Sequence, residues 1–359
     1  MNKKICLLTD SLSSGGAEKM VANLSASFVK RGYVVTVVSM TNFIDYQFKG
    51  ELYNFGIVKE ENNKLKAFLK FNFFFKKNKF DYIIDHRVRT NFFKELLLSK
   101  LVFRKHNVMY CVHSYYLPFY FSFINTPWLS RLPHVKKKSF VSVSNEIRKH
   151  LKSKLDINSS TIYNFINADD LLISKESIEV SYENYIIAVG SLKKLKQFDK
   201  LLNSYQASEL WKKGVKLIIL GDGPEKENLK LQISNLQLED FVELLPFTKK
   251  PQKLISNAKA LVLTSKVEGF PMVLLEAVSL DTPIIAFDCK SGPSEIIVND
   301  KNGVLVENQN EEQLSIALNK LLLNKTYYNK IKKNMHEGLD KFSEETIIQK
   351  WIHLIENQQ

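Results

Sequence analysis

Glu268 and Glu276 frame the stretch EGFPMVLLE, with Pro271 between them. Proline is favoured at the first position of a helix, because its missing N–H would have been an orphan there anyway. The run that follows, MVLLEAVSL, is apolar on nearly every side, so the spacing predicts a buried helix rather than an amphipathic one. A glutamate in the middle of such a helix is costly unless something hydrogen-bonds it. Phe270, ahead of the proline, has no side-chain oxygen with which to cap the helix. The first N–H groups, around Met272 and Val273, are therefore open to an outside acceptor, and the helix dipole favours an anion there. The segment offers an anion site and two carboxylates that want partners. A sugar nucleotide, with a diphosphate and many hydroxyls, would satisfy all three.

Other residues could share that chemistry. In SLSSGGAEK, Gly15 and Gly16 let backbone approach a ligand closely before a helix begins at Ala17. The pattern is not G-x-G-x-x-G and no acidic residue ends the second strand, YVVTVVSM, which disfavours a dinucleotide site. A phosphate loop and an ordinary glycine loop both remain open. In YIIAVGSLKKLKQFDKLL, Gly190 ends a strand, and Lys193, Lys194 and Lys196 follow at a helix start. Lysines there can neutralise a diphosphate, or can be plain solvated surface. Gly221-Asp222-Gly223-Pro224 reads most simply as a strand-to-helix turn. His113 ends the strand NVMYCVH, where open α/β sheets tend to bind ligands. His86, ending DYIID and followed by Arg87 and Arg89, competes with it.

The elements that must position these residues alternate along the chain. KKICLLT, YVVTVVS, DYIID, NVMYCVH, SFVSVS and TIYNFI read as strands, with helices over 17–31, 64–78 and 91–103. Gly32 stands where a helix-ending glycine is expected. After a polar stretch at 167–184 the alternation restarts with YIIAVG, KLIILG, FVELLP, ALVLTS, PIIAFD and GVLV. Helices are expected from about Lys196, after Pro224, after Pro271, over 311–341, and finally over 343–356 with Ser343 as cap. This predicts an α/β protein of two doubly wound, parallel-sheet domains, 1–170 and 171–340, with a cleft between them, and a closing helical segment at 341–359.

Composition narrows the class. A length of 359 residues supports two domains with full cores. Cys6, Cys111 and Cys289 lie far apart in apolar runs and read as buried free thiols of a reducing compartment. MNKKICLLTD reads as a first strand rather than a signal peptide. The net charge of +13 sits wholly in the first half: residues 1–170 hold 27 Lys and Arg against 13 Asp and Glu. That half should face something anionic. Residues 107–130 lack any charge, but Pro118, Pro127, Asn125 and His113 argue against a membrane span. The aromatic part, YYLPFYFSFINTPWLS, suits a membrane interface instead.

Taken in order, GGAEKMVANLSASFVKRGYVVTVVS, VGSLKKLKQFDKLL, GDGP and EGFPMVLLEAVSLDTPIIAFDCKSGPSEII resemble a retaining glycosyltransferase. They are similar to the large glycosyltransferase family 4-like group of GT-B architecture, two Rossmann-like domains facing a cleft. That group includes bacterial mannosyl-, glucosyl- and N-acetylhexosaminyl-transferases. The resemblance spans nearly the whole chain, is strongest over 185–306, and rests most specifically on the Glu-x7-Glu motif. It implies that Glu276 holds the ribose of the nucleotide and Glu268 lies near the donor sugar. It implies that the backbone from Gly269 through Phe270, Pro271 and Met272 to Val273 meets the sugar and diphosphate. Lys196 matches a phosphate-binding lysine, Gly16 approaches the diphosphate from the first domain, and His113 matches a histidine beside the reacting sugar. Asn164 would mark the domain boundary, and the helix around Trp351 would brace the first domain. The group usually has arginine directly after the glycine that opens the phosphate loop. Here Ser191 follows Gly190, which removes a bidentate phosphate donor.

The implied reaction transfers a sugar from a nucleoside-diphosphate sugar, with a lean to uridine, to an acceptor hydroxyl with retention. No Asp-x-Asp motif is present, so no metal and no further cofactor is expected. For the acceptor, residues 64–154 hold 20 Lys and Arg against four Asp and Glu, with Phe71, Phe73, Phe74 and Phe75 among the lysines. Core phenylalanines under a solvated basic face is one reading. A dock on an anionic membrane surface, giving access to a lipid-linked or surface-polysaccharide acceptor, is the other. The expected location is cytoplasmic, peripheral on the inner face of the plasma membrane. Two rivals are a basic nucleic-acid-binding protein and an inactive GT-B scaffold. No nucleic-acid motif supports the first, and the presence of Glu268, Glu276 and Lys196 argues against the second.

Overall fold

In the computed structural model the described residues are 3–13, 15–167, 182–248 and 250–357, so most of the polar stretch at 167–184 lies outside them. The chain divides into two compact units. One comprises Met1–Phe165 with Phe342–Gln359, the other Ile166–Lys341.

The first unit holds a seven-stranded parallel sheet. Its strands are β1 (Lys4–Thr9), β2 (Val34–Ser39), β3 (Glu51–Asn54), β4 (Tyr82–Asp85), β5 (Asn107–Val112), β6 (Lys138–Ser142) and β7 (Ser160–Thr161). Their spatial order is β3-β2-β1-β4-β5-β6-β7, so the winding reverses between β1 and β4. Strands such as KICLLT and NVMYCV are buried beyond their first residue, as expected of parallel strands covered on both faces. The helices are α1 (Gly16–Lys30), α2 (Phe55–Glu60), α3 (Lys64–Asn78), α4 (Phe92–Leu97), α5 (Pro127–Arg131) and α6 (Asn145–Leu155). Side chains of Asn63, Asn91 and Ser144 accept from the third residue onward and cap α3, α4 and α6. The expected helix over 91–103 is broken in kind: α4 passes into a π-helical turn, Leu98–Val102. The strand β3 and the helix α2 carry no sequence signal, since ELYN is a half-exposed edge strand without alternation. The charge-free stretch folds as β5, a short 3-10 turn at Leu117–Phe119, and α5. Among the described residues no helix is long and apolar enough to cross a membrane.

The second unit holds β8 (Tyr185–Val189), β9 (Lys216–Leu220), β10 (Val242–Leu245), β11 (Ala260–Leu263), β12 (Ile284–Phe287) and β13 (Val304–Val306). The order is β10-β9-β8-β11-β12-β13, again all parallel, with the reversal between β8 and β11. Its helices are α7 (Phe198–Ser208), α8 (Lys226–Asn235), α9 (Gln252–Asn257), α10 (Met272–Ser279), α11 (Pro293–Ile296), α12 (Glu311–Leu323) and α13 (Lys325–Asn334). The stretch expected to be helical over 311–341 parts at Asn324, whose side chain accepts from Tyr327 N and caps the second helix. The helix expected from Lys196 begins as a 3-10 turn at Lys194–Lys196 before α7. The three cysteines are free and buried.

The last helix, α14 (Glu344–Glu356), belongs to the first unit and packs on α1. Ser343 caps it by accepting from Thr346 N. Ser27 Oγ donates to Glu344 at 2.8 Å, and Arg31 pairs with Glu344 and Glu345. The buried Trp351 ring lies 6.3 Å from the His86 ring.

A buried ion cluster stands at the end of β4. Arg87, 1% exposed, donates to both carboxylate oxygens of Asp85 at 2.9 Å and to both of Glu95 on α4 at 3.2 and 2.9 Å. Burial alone would push Asp85 up, but Arg87 and Arg89 win and hold it below the ordinary carboxylate range. Arg89 donates to the carbonyls of Asp85, Arg87 and Cys111, with its guanidinium 5.2 Å and 5.1 Å from the Tyr110 and Tyr120 ring centres. Removing one member of such a cluster strands the others without water or partner. Arg87→Ala should therefore cost about 3–5 kcal/mol in denaturant unfolding, whereas Arg31→Ala on the α1–α14 surface pair should cost about 1 kcal/mol or less. Equal midpoint shifts for the two variants would contradict the ranking.

Candidate active site

In the second unit the candidate residues gather where the winding reverses, at the C-terminal ends of β8 and β11. Open parallel sheets bind ligands at such a point, because adjacent loops leave in opposite directions there. Lys196, from the loop after β8, and Glu268, from the loop after β11, meet as an ion pair with Nζ 2.5 Å from Oε1. Ser265 Oγ donates to the same carboxylate oxygen at 2.6 Å. The two loops are stapled by backbone as well: Lys266 N donates to Leu195 O at 2.8 Å, and Thr264 Oγ1 donates to Lys196 O at 2.9 Å.

Each loop is braced from the next strand along. The GDGP turn after β9 does more than reverse the chain. Gly190 N donates to Leu220 O, Leu192 N to Asp222 O and Glu225 N to Leu192 O. At Gly221 a Cβ would stand 2.0 Å from Gly190 O, so only glycine lets the turn lie against the loop that carries Lys196. On the other side, the loop after β12 supports EGFP. Glu268 N donates to Lys290 O, Ser291 N to Glu268 O, and Ser291 Oγ to Gly269 O at 2.7 Å. Gly292 has φ +105°, and a Cβ there would meet Pro271 Cδ at 2.5 Å.

The helix α10 starts at Met272, one residue later than the proline rule suggests. Pro271 is extended and serves as the cap position, with no side-chain cap bond. The uncapped start inferred from Phe270 is thus found one residue on. Phe270 and Met272 are buried, and Glu276 is 7% exposed on the same helix. Lys193 and Lys194 are exposed and, among the described residues, form no ion pair.

In the first unit, His86 and His113 end β4 and β5 side by side. His86 Nδ1 lies 2.9 Å from His113 Nε2, with the rings stacked at 5.0 Å. One ring must donate and the other accept, which requires at least one neutral imidazole. Burial and the nearby Arg89 pull His86 down to about 3, and burial, His86 and Arg89 pull His113 well below its ordinary value. The two histidines are therefore partners rather than competitors. Gly15 caps α1 without a side-chain bond, and Gly16 is the first residue of that helix, after β1. The strand ends at β1 and β4 are tied together by His86 N donating to Leu8 O and Val88 N donating to Asp10 Oδ2. Sequence reasoning missed Ser265, the Asp85–Arg87–Glu95 cluster and the bracing role of GDGP and Gly292. For Ser265 the available signal was its place three residues before Glu268.

Two measurements follow from these contacts. Gly292→Ala imposes both a left-handed backbone and a clash with Pro271, and should destabilise the second unit by about 1–3 kcal/mol. Unchanged melting would refute the bracing role. His86 and the buried His134 both titrate near 3 when folded against about 6.5 unfolded. Their contribution is complete above about 6.5 and is lost as pH falls towards 3, at about 1.4 kcal/mol per pH unit for each. The slope of unfolding free energy between about pH 6 and pH 5 should fall by that amount in His86→Asn; an unaltered slope would show that His86 is not held neutral.

Comparison with known proteins agrees with this layout. Residues 169–337 match the family described as Glycosyl transferases group 1, and residues 14–170 match Glycosyltransferase Family 4. The amylovoran biosynthesis glycosyltransferase AmsD of Erwinia amylovora is 27% identical over 98% of this chain and 99% of its own. The N-acetylgalactosamine-N,N'-diacetylbacillosaminyl-diphospho-undecaprenol 4-alpha-N-acetylgalactosaminyltransferase of Campylobacter jejuni is 28% identical over 92% and 94%. Among solved structures, HepE of Anabaena in complex with UDP-glucose superposes with a TM-score of 0.76 at 17% identity, covering 98% of this chain and 99% of that one. With both halves matched in order and both sheets wound alike, the chain belongs to the family 4-like glycosyltransferases of GT-B architecture.

Proposed function

We propose that this glycosyltransferase is a retaining, metal-independent enzyme that moves a sugar from a UDP-sugar to a hydroxyl of a lipid-linked or surface-polysaccharide glycan. The observation that carries the reading is the Lys196–Glu268 pair at the winding reversal of the second unit, set ahead of a helix start with no side-chain cap. When the anomeric C–O bond breaks, its electron pair goes to the diphosphate and positive character develops on the sugar. Lys196 and the backbone N–H groups of Gly269, Met272 and Val273 stabilise the departing diphosphate, Pro271 having no N–H to offer, which removes the need for a metal. Glu268 holds the donor sugar, Glu276 the ribose hydroxyls, and Gly190 lets the loop close on phosphate. Ser191, in place of arginine, leaves the diphosphate with fewer bidentate contacts.

The donor is supported by the UDP-glucose bound in the Anabaena structure. The acceptor is supported by the Campylobacter relative, whose named substrate is a diphospho-undecaprenol, and by AmsD, named for amylovoran biosynthesis. Such an acceptor places the enzyme in the cytoplasm, peripheral on the inner face of the plasma membrane.

A thermal-shift panel of UDP-, GDP- and ADP-sugars reads donor choice directly, and UDP-sugars should stabilise most. Glu268→Ala and Lys196→Ala should lower transfer by about 100-fold or more, and chelation by EDTA should leave the rate unchanged. The reading fails if no sugar nucleotide stabilises the protein, or if Glu268→Ala transfers at the wild-type rate.

A further inference from the structure

Two neighbouring helices of the first unit are apolar on the side that faces solvent. On α3, Leu65, Leu69 and Phe73 are 71%, 56% and 66% exposed. On α4 and its π-helical extension, Phe93, Leu97 and Leu101 are 77%, 46% and 51% exposed. Both sets run at four-residue spacing and form a stripe. The α3 stripe is displaced by two residues from the buried Ala67, Phe71 and Phe75, and the second stripe alternates with the buried Glu95 of α4 and Leu98, Ser99 and Val102 of the π-helical turn. Two residues are about 200° of α-helical rotation, so the α3 stripe points away from the core; the second stripe borders the buried Leu98 and Val102 and is outward by its exposure.

The two stripes share one side of the molecule. The connections β3 to β4 and β4 to β5 run in the same direction across the sheet, so right-handed crossovers put α3 and α4 on the same face. The helix α3 also lies against the π-helical turn, with Phe75 and Phe103 rings 5.2 Å apart. The α4 helix is inverted relative to an ordinary surface helix: its one acid, Glu95, is buried on Arg87 while its phenylalanine and leucines face out. Next to it, Phe92 meets the half-exposed Phe123 at 5.2 Å, extending the apolar area towards the aromatic segment.

Charge selects the occupant. Lys66 and Lys70 flank the first stripe, Lys94 and Lys100 the second; all four are exposed and, among the described residues, unpaired by any acid. From residue 96 to residue 145 the chain has no Asp or Glu. A second copy of this face would bring like charges together, which disfavours self-association. An apolar stripe flanked by Lys66, Lys70, Lys94 and Lys100, with Glu60 and Glu61 the exposed acids just before α3, matches a surface that is anionic outside and hydrocarbon just beneath.

We infer that α3 and the α4–π segment are the surface by which this protein lies on an anionic lipid bilayer, with Phe73 and Phe93 entering the acyl boundary and the flanking lysines on the headgroups. This deepens the proposed function and rests on its reading that the acceptor is membrane-borne, but it is tested apart from catalysis.

The experiment is co-sedimentation of the full chain with vesicles of phosphatidylcholine alone and of phosphatidylcholine mixed with phosphatidylglycerol. Binding should occur on the mixed vesicles only, and should fall as salt is raised. Phe73→Ser combined with Phe93→Ser leaves charge untouched and should weaken binding at least tenfold, with the UDP-sugar thermal shift and circular dichroism unchanged. Lys66→Glu with Lys70→Glu should abolish the preference for phosphatidylglycerol. The inference is overturned if the wild type ignores mixed vesicles at low salt, or if the phenylalanine variant binds them as well as wild type. It is equally overturned if the wild type is a dimer that this variant dissociates, since the stripes would then be covered by protein. Failure of the vesicle result with an intact UDP-sugar shift would leave the donor reading standing, and the reverse outcome would leave the surface standing.

Discussion

The Arg87 guanidinium, enclosed between Asp85 and Glu95, is the constraint on which the first unit turns. Three ionisable groups have left water there, and every guanidinium edge that faces a carboxylate finds one. The arrangement does two things at once. It fixes the end of β4, and so the position from which His86 reaches His113. It also pulls the one acidic side chain of α4 inward, which leaves that helix no choice but to show its phenylalanine and leucines to the outside.

The second unit solves the same problem with backbone. Its loops at the winding reversal are held by amides of Gly190, Leu192 and Glu268 donating to the carbonyls of Leu220, Asp222 and Lys290, and by glycines at places where no side chain fits. Lys196 and Glu268 are therefore presented by a frame that does not depend on the pair itself. Backbone hydrogen bonds supply stiffness, and the ion pair supplies only chemistry.

Much of this was legible in the chain. The alternation of apolar runs with helical stretches sets out the two wound sheets, and Ser343 announces its helix by capping. EGFPMVLLE discloses a buried glutamate and a helix without a side-chain cap because both are local properties of residue type. What escaped was non-local. GDGP reads as a turn until β9 is seen beside β8, and His86 reads as a rival of His113 until β4 and β5 are seen as neighbours. The phenylalanines of α3 form one block in the sequence. They divide instead, Phe71 and Phe75 into the core, Phe74 onto Tyr53 and Phe73 into solvent. Helical rotation, not composition, makes that division.

The Lys196–Glu268 pair also bears on which molecules the site admits. A site that keeps its own counter-ion is electrically satisfied while idle. Under the proposed function, a stray chloride ion would have to evict a carboxylate 2.5 Å from the ammonium and, with no hydrogen to donate, would offer that carboxylate nothing in return. A sugar nucleotide brings an anion for the lysine and hydroxyl donors for the glutamate in one molecule. Entry is then an exchange of partners rather than a filling of empty space, and a chloride ion gains nothing from making it.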